Sequence, residues 1–154
     1  MPLQLASDNI PSAPQCPLRV ARVSLGITQM RLAILCEVTP QVILLSEQGC
    51  YIDPPVGLFH TLSDQAKHAD WPAEALLTLT PSNYKAWQRR KREYNASNWE
   101  VDSVSDLYRV YCKGSASRLS KELLIPLRSA QDFVSGRSVG IVMEVANELG
   151  LRLH

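Results

Sequence analysis

The sequence predicts an all-α protein, and three observations lead to that prediction. From residue 17 onward, apolar residues recur three and four positions apart, as they do on one face of a helix. Thr39-Pro40 and Thr80-Pro81 each place proline directly after a hydroxyl residue, which is typical of a helix start. Glycines stand where the apolar runs end. Alternating apolar and polar residues between paired turn residues, which would indicate strands, are absent.

The first half of the chain begins with a proline-containing arm and continues into four predicted helices. Residues 1–16 contain three prolines and little periodicity, which predicts a flexible arm. A first helix is predicted over residues 17–25, and Thr28 is a suitable N-cap for a second over 29–36. Thr39-Pro40 opens a third that ends at Gly49, and a fourth starts near residues 54–55 and continues to about residue 66.

The middle of the chain, residues 80–101, is predicted to form a connecting helix with aromatic residues on one face and basic residues on another. Tyr84, Trp87 and Tyr94 share a face. The neighbouring stripe carries Lys85, Arg89 and Arg92. We interpret the stripe as a solvated edge of a connector, with nucleic-acid contact as the alternative.

Residues 102–154 repeat the pattern of residues 17–79. Ser103 or Ser105 caps a helix that continues to about residue 111, and Ser115 opens a short one through Leu123. Pro126 starts the next helix, which ends at Gly136, and a last helix is predicted over residues 138–149. We therefore predict one domain over residues 17–79 and a second over residues 102–154.

An internal repeat supports this division, because one constant offset of 87 residues relates the two segments. The offset superposes four identical pairs without a gap: Arg22/Arg109, Val23/Val110, Leu32/Leu119 and Gly49/Gly136. Four more pairs match in character: Val20/Leu107, Thr28/Ser115, Ala33/Ser120 and Val38/Ile125. Each segment would pack a second and a third helix at a steep angle around a small residue, Ala33 or Ser120.

Residues 18–49, LRVARVSLGITQMRLAILCEVTPQVILLSEQG, closely resemble the Cro/CI-like helix-turn-helix family, also called lambda-repressor-like or Xre. Residues 118–137, RLSKELLIPLRSAQDFVSGR, resemble the turn and recognition helix of the same family. Together the two segments cover about one third of the chain. The resemblance implies two tandem helix-turn-helix units, each of which turns its third helix toward the major groove of double-stranded DNA.

The resemblance also implies roles for individual residues. In the first unit Gln29 would bind a phosphate, and the residues facing the groove would be Thr39, Pro40, Gln41, Leu44 and Leu45. In the second unit the groove-facing residues would be Leu127, Arg128, Gln131 and Asp132, with phosphates contacted by Arg118, Lys121 and Arg137. Gln41 suits adenine and Arg128 suits guanine, while Asp132 would accept from cytosine or orient Arg128.

The first unit departs from the family pattern. Leu44 and Leu45 stand where polar residues are usual, Ser46 stands where a core aliphatic residue is expected, and Glu37 adds negative charge near the groove face. Either Leu45 turns inward in place of Ser46, or this unit presents apolar surface to thymine methyl groups or to protein. The first unit therefore has the clearer family signature but the weaker surface for reading bases.

Composition and charge exclude several classes of protein. The net charge is only +1, and basic residues concentrate at positions 85–92. The four cysteines are irregularly spaced, so a zinc site using Cys36, Cys50, His60 and His68 is disfavoured, and no metal or other cofactor is expected. No nucleophile–base pair, paired carboxylates or phosphate-binding glycine loop appears, so no enzymatic activity is expected. With neither a signal peptide nor a membrane-spanning run, a cytoplasmic location is expected.

These observations predict a transcription regulator that binds two half-sites on double-stranded DNA, with each recognition helix reading one of them. The family resemblance implies a repressor of phage or mobile-element type. The alternative is a protein-interaction module in which Leu44 and Leu45 pair two copies of the chain or grip a partner regulator, as an antirepressor would.

Overall fold

The computed structural model describes residues 13–50 and 53–153, and the prediction of an all-α fold is confirmed over this part of the chain. Its helices are α1 Pro17–Ser24, α2 Gln29–Cys36, α3 Pro40–Gln48, α4 Val56–His68, α5 Ala73–Leu76, α6 Pro81–Ala96, α7 Val104–Val110, α8 Ala116–Leu123, α9 Leu127–Val134 and α10 Gly140–Glu148. One isolated parallel bridge joins Ser103 to Arg152. We call α1–α4 (residues 17–68) the first helix set and α7–α10 (residues 104–148) the second.

Side-chain caps start the corresponding helices of the two sets. The Thr28 hydroxyl accepts a hydrogen bond from the Arg31 backbone N–H, and the Ser115 hydroxyl accepts one from the Arg118 backbone N–H. Each cap satisfies one of the N–H groups that a helix leaves unpaired at its first turn. Because Thr28 and Ser115 are 87 residues apart, the caps place α2 and α8 at equivalent positions in the repeat.

The ends of these helices follow the same register. Glu37 after α2 and Leu124 after α8 both adopt the left-handed conformation, with φ of 56° and 53°. This conformation lets the chain turn sharply from α2 into α3 and from α8 into α9. Gly49 and Gly136, at or just beyond the ends of α3 and α9, likewise have positive φ, at 83° and 77°. The 87-residue repeat in the sequence is therefore a repeat of helices and turns in the structure.

The core of the first helix set includes residues from α6. Leu18, Leu32 and Leu62 are buried in it together with Tyr84 and Trp87 of α6. The ring centroids of Tyr84 and Trp87 lie 5.3 Å apart, and Phe59 meets Tyr84 edge to face at 5.9 Å. The helix predicted as a connector thus supplies the largest buried side chains of the first core.

A contact with Tyr84 also explains the unusual residue at position 46. Ser46 is buried and its hydroxyl donates to the Val42 carbonyl at 2.7 Å, while its own carbonyl accepts from the Tyr84 hydroxyl at 2.6 Å. Neither sequence-based alternative for this position anticipated that arrangement. A side chain from α6 packs against the position where the family pattern places an aliphatic residue of α3.

The second core is formed by α7–α10 together with the segments that flank them. Leu107, Leu119, Ile125 and Val142 are buried within it, with Trp99 and Leu151 packed at its edge. Buried Ser120 donates from its hydroxyl to the Ile125 carbonyl at 2.6 Å across the turn between α8 and α9. The small residue predicted at the helix crossing is therefore also a hydrogen-bond donor that braces the turn.

Polar side chains of α6 connect the two sets. Gln88 Nε2 donates to the Gly49 carbonyl at 2.8 Å, just beyond the end of α3. The Arg92 guanidinium donates to the carbonyls of Leu123 and Leu124, at 3.1 and 3.2 Å, at the end of α8. Carbonyls at helix ends lack partners within their own helix, so α6 caps the C-terminal ends of α3 and α8 together.

Some predicted boundaries differ from the observed ones. Residues 1–12 of the predicted arm lie outside the described residues, whereas Cys16 is buried and the Pro14 carbonyl accepts from the Trp87 indole N–H at 3.1 Å. Helix α5 was not predicted, and α10 begins at Gly140, two residues later than expected. The division of the chain at residues 79/80 and 101/102 stays a prediction.

Candidate nucleic-acid interface

Helix α9 presents polar side chains to solvent while its central apolar residues pack inward, and Leu127 and Val134 at its two ends are 42% and 43% exposed. Ala130 is fully buried and Phe133 packs on the second core, where it meets Tyr108 edge to face. Arg128 and Gln131 are exposed, and Asp132 is half-buried. The predicted groove-facing residues Arg128 and Gln131 thus point away from the core, which is what a base-reading role requires.

Cations surround α9. Arg118, Lys121 and Arg137 are exposed, and within the described part of the chain neither they nor Arg128 belong to an ion pair. Arg118 and Lys121 lie on α8, while Arg137 follows the end of α9. Four cations without carboxylate partners are available to an anionic ligand.

In the first helix set, the predicted phosphate ligand Gln29 is engaged within the protein. Its Nε2 donates to Glu47 Oε1 at 3.0 Å, and the same carboxylate accepts from Arg22 Nε and Nη2 at 2.5 and 3.1 Å. Arg22 also donates from Nη1 to the Ile27 carbonyl at 2.9 Å. An amide nitrogen carries two hydrogens, so Gln29 retains one donor for another acceptor.

The groove-facing residues predicted on and before α3 are divided between solvent and a cleft. Thr39, Pro40 and Gln41 are exposed, whereas Leu44 and Leu45 are half-buried. The cleft has a volume of about 190 Å³ and lies between the two helix sets. The α3 residues in its lining include Gln41, Leu44 and Leu45, and those from the second set include Ser120, Lys121 and Leu127.

This cleft brings the two predicted recognition helices together. Leu127 is the first residue of α9 and Gln41 the second of α3, and both line a single small cavity. Successive half-sites on one face of B-DNA lie one helical turn apart, about 34 Å. The predicted groove face of α3 therefore lies beside the second helix set rather than at the distance of a separate half-site.

Contacts at the ends of α3 and α8 hold this arrangement. Leu124 is only 2% exposed and lies beside Gly49. A Cβ added to Gly49 would lie 3.4 Å from Leu124 Cδ1 and 2.8 Å from Trp87 Cη2, so the backbone and these side chains are closely packed.

Burial raises the pKa of the Cys50 thiol, which lies against the Ser120 hydroxyl. Burial likewise lowers the pKa of Arg92, an effect that Glu148 opposes at 3.4 Å.

Comparison with family models, with curated proteins and with solved structures found no match to this chain. The assignment of a function therefore rests on the residues and their geometry.

The basic stripe predicted on α6 is used in several ways. Lys85 pairs with Asp53 at 3.2 Å, and Arg92 is half-buried against the carbonyls at the end of α8. Arg89 is exposed, and the Lys91 ammonium lies 5.5 Å from the centroid of the Trp87 ring. The positive charge of this helix is therefore spread over several environments instead of forming one uniform exposed stripe.

Two further findings concern metal ions and membranes. Among residues 13–50 and 53–153, no three His, Cys, Asp or Glu side chains come close enough together to ligate a metal ion. None of the described helices combines the length and the apolar character required to cross a membrane.

Two structurally important residues were not singled out by sequence reasoning. Arg22 and Glu47 stood within the family-like motif, and the recurrence of arginine at position 109 signalled the first of them. In the sequence, Val134 stands where the repeat would place a second Glu47, and in the structure Arg109 pairs instead with Asp106 at the surface. The buried Arg–Glu pair is therefore specific to the first set.

Proposed function

We propose that this protein is a sequence-specific DNA-binding transcription regulator that inserts α9 of the second helix set into the major groove. The observation that carries the proposal is that α9 exposes Arg128 and Gln131 beside three cations that lack ion-pair partners in the described part of the chain. An arginine that reaches the O6 and N7 atoms of guanine contributes roughly 1–3 kcal/mol of discrimination against other bases.

In this proposal the first helix set supports the second instead of reading a half-site of its own. Helix α3 places Leu44 and Leu45 in the cleft against the second set. The Gln29 amide already donates one hydrogen to Glu47, so only one of its two hydrogens is available to a phosphate. One chain would then occupy one major-groove site, in place of the two half-sites expected from the repeat. Gln41, exposed at the edge of the same cleft, would lie close enough to extend that single site.

Selection of duplexes from a random pool by the intact chain at moderate salt tests the proposal. We expect one preferred sequence, protected over a single major groove in a hydroxyl-radical footprint. Arg128→Ala should relax the preference at one base pair and weaken binding to the selected site by about 1–3 kcal/mol. Recovery of no preferred sequence would refute the proposal, and two protected regions one helical turn apart would restore the two-half-site model.

Lys121→Ala separates phosphate contact from base reading. It should weaken binding to all duplexes alike. The slope of log affinity against log salt concentration should fall in magnitude by about one, because one phosphate contact is lost. Arg109→Ala is the matched control, since Arg109 is also an exposed cation of the second set but is paired with Asp106. An equal effect of the two substitutions would contradict the assigned position of the phosphate contacts.

A protein-interaction module is the second candidate function, and the surface of α2 favours it. Met30 and Ile34 are 59% and 65% exposed and lie one helical turn apart. Leu44 and Leu45, the residues that first suggested this function, are half-buried against the second set. Replacement of Met30 and Ile34 by glutamine should abolish self-association, measured by sedimentation equilibrium, if this surface pairs two copies of the chain. Unchanged association would exclude the surface from that role.

A further inference from the structure

A cleft on the first helix set has no residue of α9 in its lining. It has a volume of about 560 Å³ and is bordered by α1, by Glu47 of α3, by Trp87 and Lys91 of α6, and by residues 13–16. Cavities of roughly 300–1,000 Å³ are the size that proteins use for small ligands. The cleft therefore has room for an organic molecule.

One side of this cleft is apolar. Val20 and Val23 of α1 are 44% and 57% exposed and line it, although neither packs in the first core. Trp87 forms part of the floor, and its indole N–H is already bonded to the Pro14 carbonyl. An apolar body placed against Val20 and Val23 would remove both side chains from water.

The other side of the cleft is cationic. Arg19 and Lys91 line it, and neither forms an ion pair with another residue in the described part of the chain. The acidic residue in the lining is Glu47, whose carboxylate is occupied by Arg22 and Gln29 at 2.5–3.1 Å. The charge that remains available to a ligand is therefore positive.

We propose that this cleft binds an amphipathic organic anion, such as an aromatic or aliphatic carboxylate. The carboxylate would lie between Arg19 and Lys91, and the apolar body would pack against Val20 and Val23. The two cations supply charge-assisted hydrogen bonds to the anionic group. This site does not depend on the proposed DNA-binding function, because none of its residues belongs to the second helix set.

Titration with 1-naphthoate tests the proposal, with neutral 1-naphthalenemethanol as the matched probe. The indole N–H signal of Trp87 in nitrogen-15 NMR spectra reports on the floor of the cleft, and its assignment follows from Trp71→Phe and Trp99→Phe. We expect saturable shifts of the Trp87 signal with 1-naphthoate and clearly weaker binding of the alcohol. Equal binding of the two probes, or no shift of the Trp87 signal, would overturn the proposal.

Substitutions locate the binding determinants. Arg19→Gln and Lys91→Gln should each weaken 1-naphthoate binding about fivefold, at the upper end expected for a solvent-exposed charge pair. Arg90→Gln is the matched control, because Arg90 is an exposed cation on α6, the helix that carries Lys91, and does not line the cleft. Val23→Glu should abolish binding by placing a negative charge in the apolar side. Unchanged affinity in the Arg19 and Lys91 variants, or equal loss in the control, would assign the binding to another surface.

Discussion

Removal of one partner of the buried ion pair between Arg22 and Glu47 should destabilise the protein more than the same change at any other ion pair in the described part of the chain. The side chains of Arg22 and Glu47 are only 11% and 4% exposed, and two donors of Arg22 contact the two carboxylate oxygens at 2.5 and 3.1 Å. Gln29 adds a third donor to the same carboxylate. Glu47→Ala leaves the guanidinium of Arg22 without its counter-ion in a site that water reaches poorly.

The expected cost follows from that burial. Removal of one partner from a buried pair typically destabilises a protein by about 3–5 kcal/mol, because the remaining charge is desolvated and uncompensated. Natural domains have total stabilities of about 5–15 kcal/mol, so Glu47→Ala should shift the unfolding midpoint substantially. Urea unfolding followed by circular dichroism measures the change, with the slope expected to stay close to that of the parent protein.

The second helix set supplies a control for this measurement. Arg109 is equivalent to Arg22 in the repeat, but it is 77% exposed and pairs with Asp106 three residues earlier. Asp106→Ala should therefore cost no more than about 0.5 kcal/mol. Equal losses of stability in Glu47→Ala and Asp106→Ala would refute the reasoning that burial determines the contribution of the pair.

A double substitution separates the missing counter-ion from lost packing. Arg22→Met combined with Glu47→Leu removes both charges while it retains most of the side-chain volume. Replacement of a buried ion pair by apolar residues of similar size is often neutral or stabilising, so the double variant should recover most of the stability lost in Glu47→Ala. If the double variant is as unstable as Glu47→Ala, the loss arises from packing and not from an unpaired charge.

Two further predictions concern the glycines of the repeat and the cysteines. Gly49→Ala and Gly136→Ala should both lower the free energy of unfolding in urea by about 1–2 kcal/mol, because alanine is strained at positive φ. Gly49→Ala should lose about 1–3 kcal/mol more, because its Cβ would lie 2.8 Å from Trp87 Cη2 whereas Gly136 has open space. Equal losses would contradict the packing at Gly49. In iodoacetamide labelling at pH 8, half-buried Cys36 should react before Cys16, because burial raises the pKa of Cys16 to about 11 and leaves roughly one thiolate in a thousand. Labelling of Cys16 as fast as that of Cys36, followed for each residue by mass spectrometry of proteolytic peptides, would show this order to be wrong.

The sequence determined the helices and the turns of both sets. Helices α2 and α8 begin after Thr28 and Ser115 because the hydroxyl of each residue accepts a hydrogen bond from the backbone N–H three residues later. This contact lies within a single turn of the chain. The register of the repeat is likewise local, because periodicity and capping act over only a few residues. For this reason α2 and α8 have the predicted boundaries at both ends.

Tertiary structure alone decided how the two sets are arranged and which side chains are free. Arg92 was one cation in a basic stripe by sequence, yet it bonds to the carbonyls of Leu123 and Leu124, more than 30 residues away. Tyr84 packs at buried Ser46, and Leu45 lines a cleft shared with the second set. These contacts depend on how distant segments meet, and neither periodicity nor composition encodes the position of a partner that lies far along the chain.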